Sequence, residues 1–282
     1  MLEGLIWFII VIVTVFIIYI IENFVRSGLP GYNKAWLLQP VFRLIRLFGK
    51  KEPKEGCSCR WYPVASCWFA CCALYFSVAG SHLVFIAACL VIMELFILAG
   101  AWNHGEAFAA MAAQRGIARL FICCFTVLIS AASLFHVTGN LNLSVIAEYS
   151  RTHVMLLQLP LTFLAMVSLM LTRGNLLFFD FNIAGISPGL QDSPLYTPYS
   201  GWSLALAQIN HWIEIGVWIK LVSIFLPFHP WISFMASSLL YLACLLLDGL
   251  VSKAQWKYAA RNTMIWGGGA AAMNFIWLYL LK

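Results

Sequence analysis

The sequence predicts an all-α polytopic membrane protein of eight transmembrane helices, with an amphipathic interfacial helix after the first. Three observations predict it. The 282 residues are 62% hydrophobic and only 10% charged, where soluble domains carry roughly 25% charged residues. Mean hydropathy is +0.88. Apolar runs of about 20 residues, the length that crosses a bilayer core as a helix, recur along the whole chain. The twelve Trp and ten Tyr suit anchoring at both membrane interfaces.

The first run covers 3–24. Its leader, MLEGL, has no Lys or Arg, and no small-residue cleavage site follows, so it reads as a retained helix and not a signal peptide. The remaining spans are 61–80, 83–102, 116–137, 154–172, 203–227, 231–250 and 260–281. Together they make residues 1–282 a single integral membrane domain, with loops at about 25–60, 103–115, 173–202 and 251–259. No internal repeat is evident, which disfavours inverted-repeat transporters and a stand-alone transporter in general. The run 267-GGGAAAM-273 gives the last span a small-residue face for close helix packing.

Between the first two spans lies 26-RSGLPGYNKAWLLQPVFRLIRLFGKKEPKEG-56, with seven of the 17 basic residues. On a helical wheel of residues 36–50, Leu37, Val41, Leu44, Ile45 and Phe48 fall on one side. Gln39, Arg43, Arg46 and Lys50 fall on the other. Pro40 sits near the start, where a missing N–H costs little, and Gly49 and Pro53 mark the end. Such a helix lies in the interface, either against anionic lipid or as a docking face for another protein. Residues 103–115 read as a short amphipathic connecting helix. The Gly-, Pro- and Ser-rich segment 173–201 reads as irregular backbone with one or two helical turns.

Fourteen of the 17 basic residues fall in or beside the connections after spans one, three, five and seven. The positive-inside rule places that side in the cytoplasm of a cell with an inner membrane, and both termini outside. The net charge of +6 is then a product of topology and not a nucleic-acid footprint. Seven of the nine cysteines lie in apolar spans, where Cys packs as a small hydrophobe. Cys57 and Cys59 form a CxC pair with no neighbouring His or second pair, so no metal site is expected.

A charge at mid-bilayer costs at least about 2.5–3.5 kcal/mol, so each one needs a reason. Glu94 lies in the middle of 91-VIMELFILAG-100, with no charged partner on its own helix. It is either a proton or sodium relay group or a protonated acid bonded to a neighbouring helix. His211 and Glu214 share a face of span six, and a His–Glu pair can share a proton near neutral pH. Lys220 is about 120° away from Glu214 on an ideal wheel and is not paired with it by spacing. Asp248 and Lys253 close span seven, as snorkelling residues or as an ion pair. Arg115 opens span four, as an interface anchor or as a wall of a cavity under a partner.

These residues resemble a known family. Arg26, Gly28 and Pro30, then 37-LLQP-40, then Arg46, Leu47, Phe48 and Lys50, resemble the first cytoplasmic loop of the respiratory complex I subunit-1 (NuoH) family. That family includes the membrane subunit of energy-converting [NiFe] hydrogenases of the Ech, Mbh and formate hydrogenlyase types. Residues 108-FAAMAAQRG-116 and 199-YSGWSLAL-206 are similar to two further family segments, and 211-HWIE-214 resembles the hydrogenase branch.

The resemblance implies eight spans with termini outside. It implies a docking face for a hydrophilic arm at Arg26, Gln39, Arg43, Arg46, Lys50, Arg115, Asp180 and Tyr199. Glu94, His211, Glu214, Lys220, Asp248 and Lys253, as ionisable groups in or beside the spans, are the candidates for an ion path, and the last two match in spacing an acid and a base of the family's seventh helix. The chain would carry no redox centre or catalytic residue of its own. Fe–S clusters and, in the hydrogenase branch, a [NiFe] centre would sit in hydrophilic partner subunits, and antiporter-like membrane subunits would pack on another edge. The chain departs from the family pattern where acids are usual: Arg43, Gly116, Cys123, Cys124, Ile183, Gly185, Ser187 and Pro198 stand there instead. Those departures weigh against a quinone-site subunit and leave a non-conducting structural anchor as the competing reading.

Overall fold

The computed structural model describes residues 2–26, 39–50, 61–179, 181, 194–248 and 255–280. All regular structure among them is helical. The helices are α1 (Leu2–Arg26), α2 (Gln39–Gly49), α3 (Trp61–Val78), α4 (Leu83–Asn103), α5 (Ala107–Thr138) and α6 (Leu143–Thr152). They continue as α7 (Met155–Gln158), α8 (Pro160–Arg173), α9 (Gly201–Ser223), α10 (Pro230–Asp248), α11 (Trp256–Asn262) and α12 (Ala270–Leu280). Four of the described helices, α3, α4, α5 and α10, are long and apolar enough to cross a membrane; α8 is shorter.

Helix α9 is the axis of the bundle. It packs against α1, α2, α3, α8 and α10, and it is buried on nearly every side. Gly216 lets α1 approach it: a methyl at that position would sit 2.5 Å from Val15 Cγ2. Tyr19 of α1 lies over Trp212 of α9. Asn210 of α9 donates through Nδ2 to Ser66 Oγ of α3 at 2.9 Å, a buried polar tie between the two helices.

Two loops clip one end of the bundle. The α3–α4 and α5–α6 connections pair as a short antiparallel bridge, His82 opposite Asn142. Leu83 N donates to Leu141 O at 2.9 Å, and Leu143 N donates to Ser81 O at 3.1 Å. Gly139 ends α5 in the left-handed conformation, φ 69°, which costs a glycine little.

The structure corrects several element expectations. Residues 107–115 are not a separate connecting helix; they are the first turns of a continuous α5. The expected span 154–172 is broken into α7 and α8. Pro160 is the physical reason, because a proline lacks the N–H and pushes the residue before it out of the α region; Leu159 sits at φ −127°, ψ 51°. The last span is interrupted as well. A π-helical turn at Thr263–Gly269 separates α11 from α12, the kind of local defect that re-aims side chains. There Gly267 meets α8, where a Cβ would lie 3.0 Å from Ser168 Oγ, as the small-residue run led us to expect. Thr172 and Thr263 hydroxyls lie 3.1 Å apart, and Asn274 donates to Thr162 Oγ1 at 2.8 Å along the same seam.

The α1–α9 contact yields a test. Gly216→Ala should lower stability by about 1–3 kcal/mol through overpacking. Adding Val15→Ala should restore part of that loss by vacating the space. Thermal unfolding of the four chains in one detergent measures the coupling.

Candidate functional site

Four ionisable side chains from four helices meet inside the bundle. Glu94 comes from the middle of α4, Arg119 from α5, Arg173 from the last residue of α8, and Glu214 from the middle of α9. Glu94 is 5% exposed and Arg173 3%. Arg119 donates to Glu94 Oε1 through Nη2 at 2.9 Å and Nε at 3.3 Å. Arg173 donates through Nη1 to the other oxygen, Oε2. Glu94 is therefore clamped by two guanidinium groups, one on each oxygen. Glu214 is the second acid: its Oε1 lies 3.3 Å from Arg173 Nη1 but accepts no hydrogen bond in satisfactory geometry. Two acids and two bases make the group neutral when all four are ionised.

The backbone that positions Arg173 is unusual. Just beyond it, Asn175 (φ 51°) and Leu177 (φ 56°) are left-handed. Asn tolerates that region; for Leu it costs roughly 1–2 kcal/mol. Each is held by a specific bond. Asn175 Oδ1 accepts from Arg119 Nη1 at 3.0 Å. Leu177 N donates to Asp248 Oδ1 at 2.6 Å. Asp248 thus anchors a tight turn from α10.

Beside the cluster is a cavity of about 40 Å³. Its walls include Glu94, Arg119, Asn175, Tyr196, His211 and Glu214. A water needs about 10–15 Å³ and two to four polar partners, and both conditions are met here. Burial pushes the Tyr196 phenol up, so that residue stays a hydrogen-bond donor.

The ion-path residues expected from the sequence separate into two groups. Glu94, His211 and Glu214 come together at the cavity. Glu94 is not a lone acid, because its partners arrive from α5 and α8. Lys220 lies elsewhere: its Nζ sits 4.3 Å from the Trp7 ring centroid, where the π face offsets its charge. The Asp248 carboxylate accepts the Leu177 amide. Lys253 and Asp180 lie outside the described residues.

The expected docking residues also divide. Arg46 and Lys50 are exposed on α2. On α2, Leu44 packs on the core, while Phe42, Ile45 and Phe48 are exposed. Arg115 lies 5.4 Å from the Trp256 ring centroid, tying α5 to α11. Tyr199 is buried and offers no docking surface, its hydroxyl donating to Ile97 O at 2.8 Å. The side chains of Arg26, Gln39 and Arg43 lie outside the described residues.

Arg119 and Arg173 were missed as site residues, because each adjoins the end of an apolar run and counts there as an interface anchor. Among the described residues no group of three or more His, Cys, Asp or Glu could hold a metal ion.

The sequence model of the NADH dehydrogenase family matches residues 25–280. The chain belongs to that family. Its membership agrees with the resemblance carried by LLQP, FAAMAAQRG and YSGW. Among curated proteins none matches the sequence. The fold is similar to a chain of the membrane-bound sulfane sulfur reductase, an archaeal respiratory membrane complex. The two align at a TM-score of 0.77 and 19% identity over 98% of each chain.

The clamp predicts an asymmetry between the two acids. Glu94→Gln leaves Arg119 and Arg173 without their shared counter-charge and should cost about 3–5 kcal/mol. Glu214→Gln removes only the weaker contact and should cost less. Denaturation midpoints of the two variants, measured side by side, check the order.

Proposed function

We propose that this chain is the membrane-anchoring and ion-coupling subunit of a hydrogenase-type, complex I-like oxidoreductase. It crosses the membrane eight times, with its long loops on the cytoplasmic side. Those loops and the exposed basic residues of α2 dock a hydrophilic arm that carries Fe–S clusters and a [NiFe] centre, and antiporter-like subunits pack on another edge. Electron transfer in the arm is linked through this chain to movement of H⁺ or Na⁺.

The observation that carries the reading is the Glu94–Arg119–Arg173–Glu214 cluster beside a water-sized polar cavity. Buried ionisable groups in a membrane bundle are costly, and they recur where ions or protons move. Here they sit in a family of respiratory membrane subunits. The likeness to a chain of an archaeal respiratory complex supports a multi-subunit setting. Within the cluster, Glu94 is committed to two arginines, whereas Glu214 shares only one edge of Arg173. Glu214 is therefore the carboxylate suited to change its charge during turnover, with His211 and cavity water as its route.

A second reading is a structural anchor that conducts nothing. It is favoured by the double clamp on Glu94, which can serve as a purely architectural knot, and by Arg43, Gly116 and Pro198 in family acid positions.

One experiment separates the two. In the intact complex, Glu214→Gln should lower ion translocation at least several-fold while electron transfer in the arm continues. Unchanged translocation per electron would leave the anchor reading.

A further inference from the structure

A second cavity, of about 230 Å³, lies between α4, α5 and α9. Cys123, Met166 and Trp218 are among the buried residues of its floor, and Val84, Ala88 and Leu128 stand exposed at its mouth. Arg173 forms part of the inner wall, so the cavity reaches the back of the charged cluster. Its surface is almost wholly carbon. The accessible lining offers water almost no polar surface, and apolar cavities stay dry. Of its lining residues, Ser130 Oγ, Arg173 Nε and Trp218 Nε1 are buried without a hydrogen-bond partner among the described residues. The cavity is larger than an engineered one of roughly 150 Å³ that takes up benzene. Packed interiors hold few voids of this size, because an unfilled one forfeits dispersion contacts along its whole lining.

The mouth indicates what fills it. Val84, Ala88 and Leu128 lie on α4 and α5, both long and apolar enough to span a bilayer. The opening is thus continuous with the surface those helices turn toward lipid. We propose that this cavity is a binding site for one acyl chain of a membrane phospholipid, which enters sideways between α4 and α5 and ends against the apolar side of Arg173. The chain completes the wall of the cluster and keeps water from reaching Arg173 from the lipid side. This site is separate from the polar cavity at Glu214, and it stands whether or not ions move there.

Native mass spectrometry of the full-length chain released from mild detergent tests the proposal. The wild type should retain a phospholipid through delipidation. Ala87→Phe, which places a ring in the cavity, should lower that occupancy at least about five-fold. Leu239→Phe, on a lipid-facing position of α10, should leave it unchanged. If Ala87→Phe does not fold, Val84→Trp at the mouth serves in its place. Retention equal in the filled and wild-type chains, no retained phospholipid in the wild type, or a retained quinone in its stead would overturn the proposal.

Discussion

The interaction on which the bundle depends is the clamp of Arg119 and Arg173 on Glu94. Isolated charges at this depth cost several kcal/mol each, and removing one partner of such a group leaves the others stranded. The clamp works because both carboxylate oxygens are used and because Asn175 takes up a further guanidinium proton. Its members come from α4, α5 and α8, so these helices have one relative placement at which the charges cancel. Apolar packing in lipid discriminates weakly between helix registers, since lipid tails are as apolar as leucine. A buried polar constellation discriminates strongly.

The broken elements are what make the clamp reachable. Pro160 begins α8, and the short helix delivers Arg173 into the bundle and not to its edge. The π turn and Gly267 bring the last span close to α8, with Thr172 and Thr263 in contact one residue before the arginine. Backbone irregularity inside a membrane protein is tolerated where protein surrounds it. Asn175 and Leu177 satisfy that condition through bonds to Arg119 and Asp248.

Much of the helical content was legible in hydropathy, and the family was legible in three loop segments. The i, i+3 spacing of His211 and Glu214 put both on one helix face, and both line one cavity; the depth of Glu94 marked it as unusual. The rest of the site was not legible for a physical reason. Arg119 and Arg173 are 25 and 79 residues from Glu94, so no local period links them to it. Each also sits beside the end of an apolar run, where a basic residue ordinarily meets a headgroup. Lys220 lies inside a span, and the ring that faces it comes from α1, a partner no local period indicates.

The Asp248 contact gives the strained turn a mechanical meaning. Leu177 holds a conformation that its side chain disfavours, and its amide is fastened to the end of α10. A few residues of backbone then lead back to Arg173. The end of α10 and the guanidinium between Glu94 and Glu214 are therefore joined by one short turn pinned at Asp248, so the position of that charge is set jointly by α8 and α10.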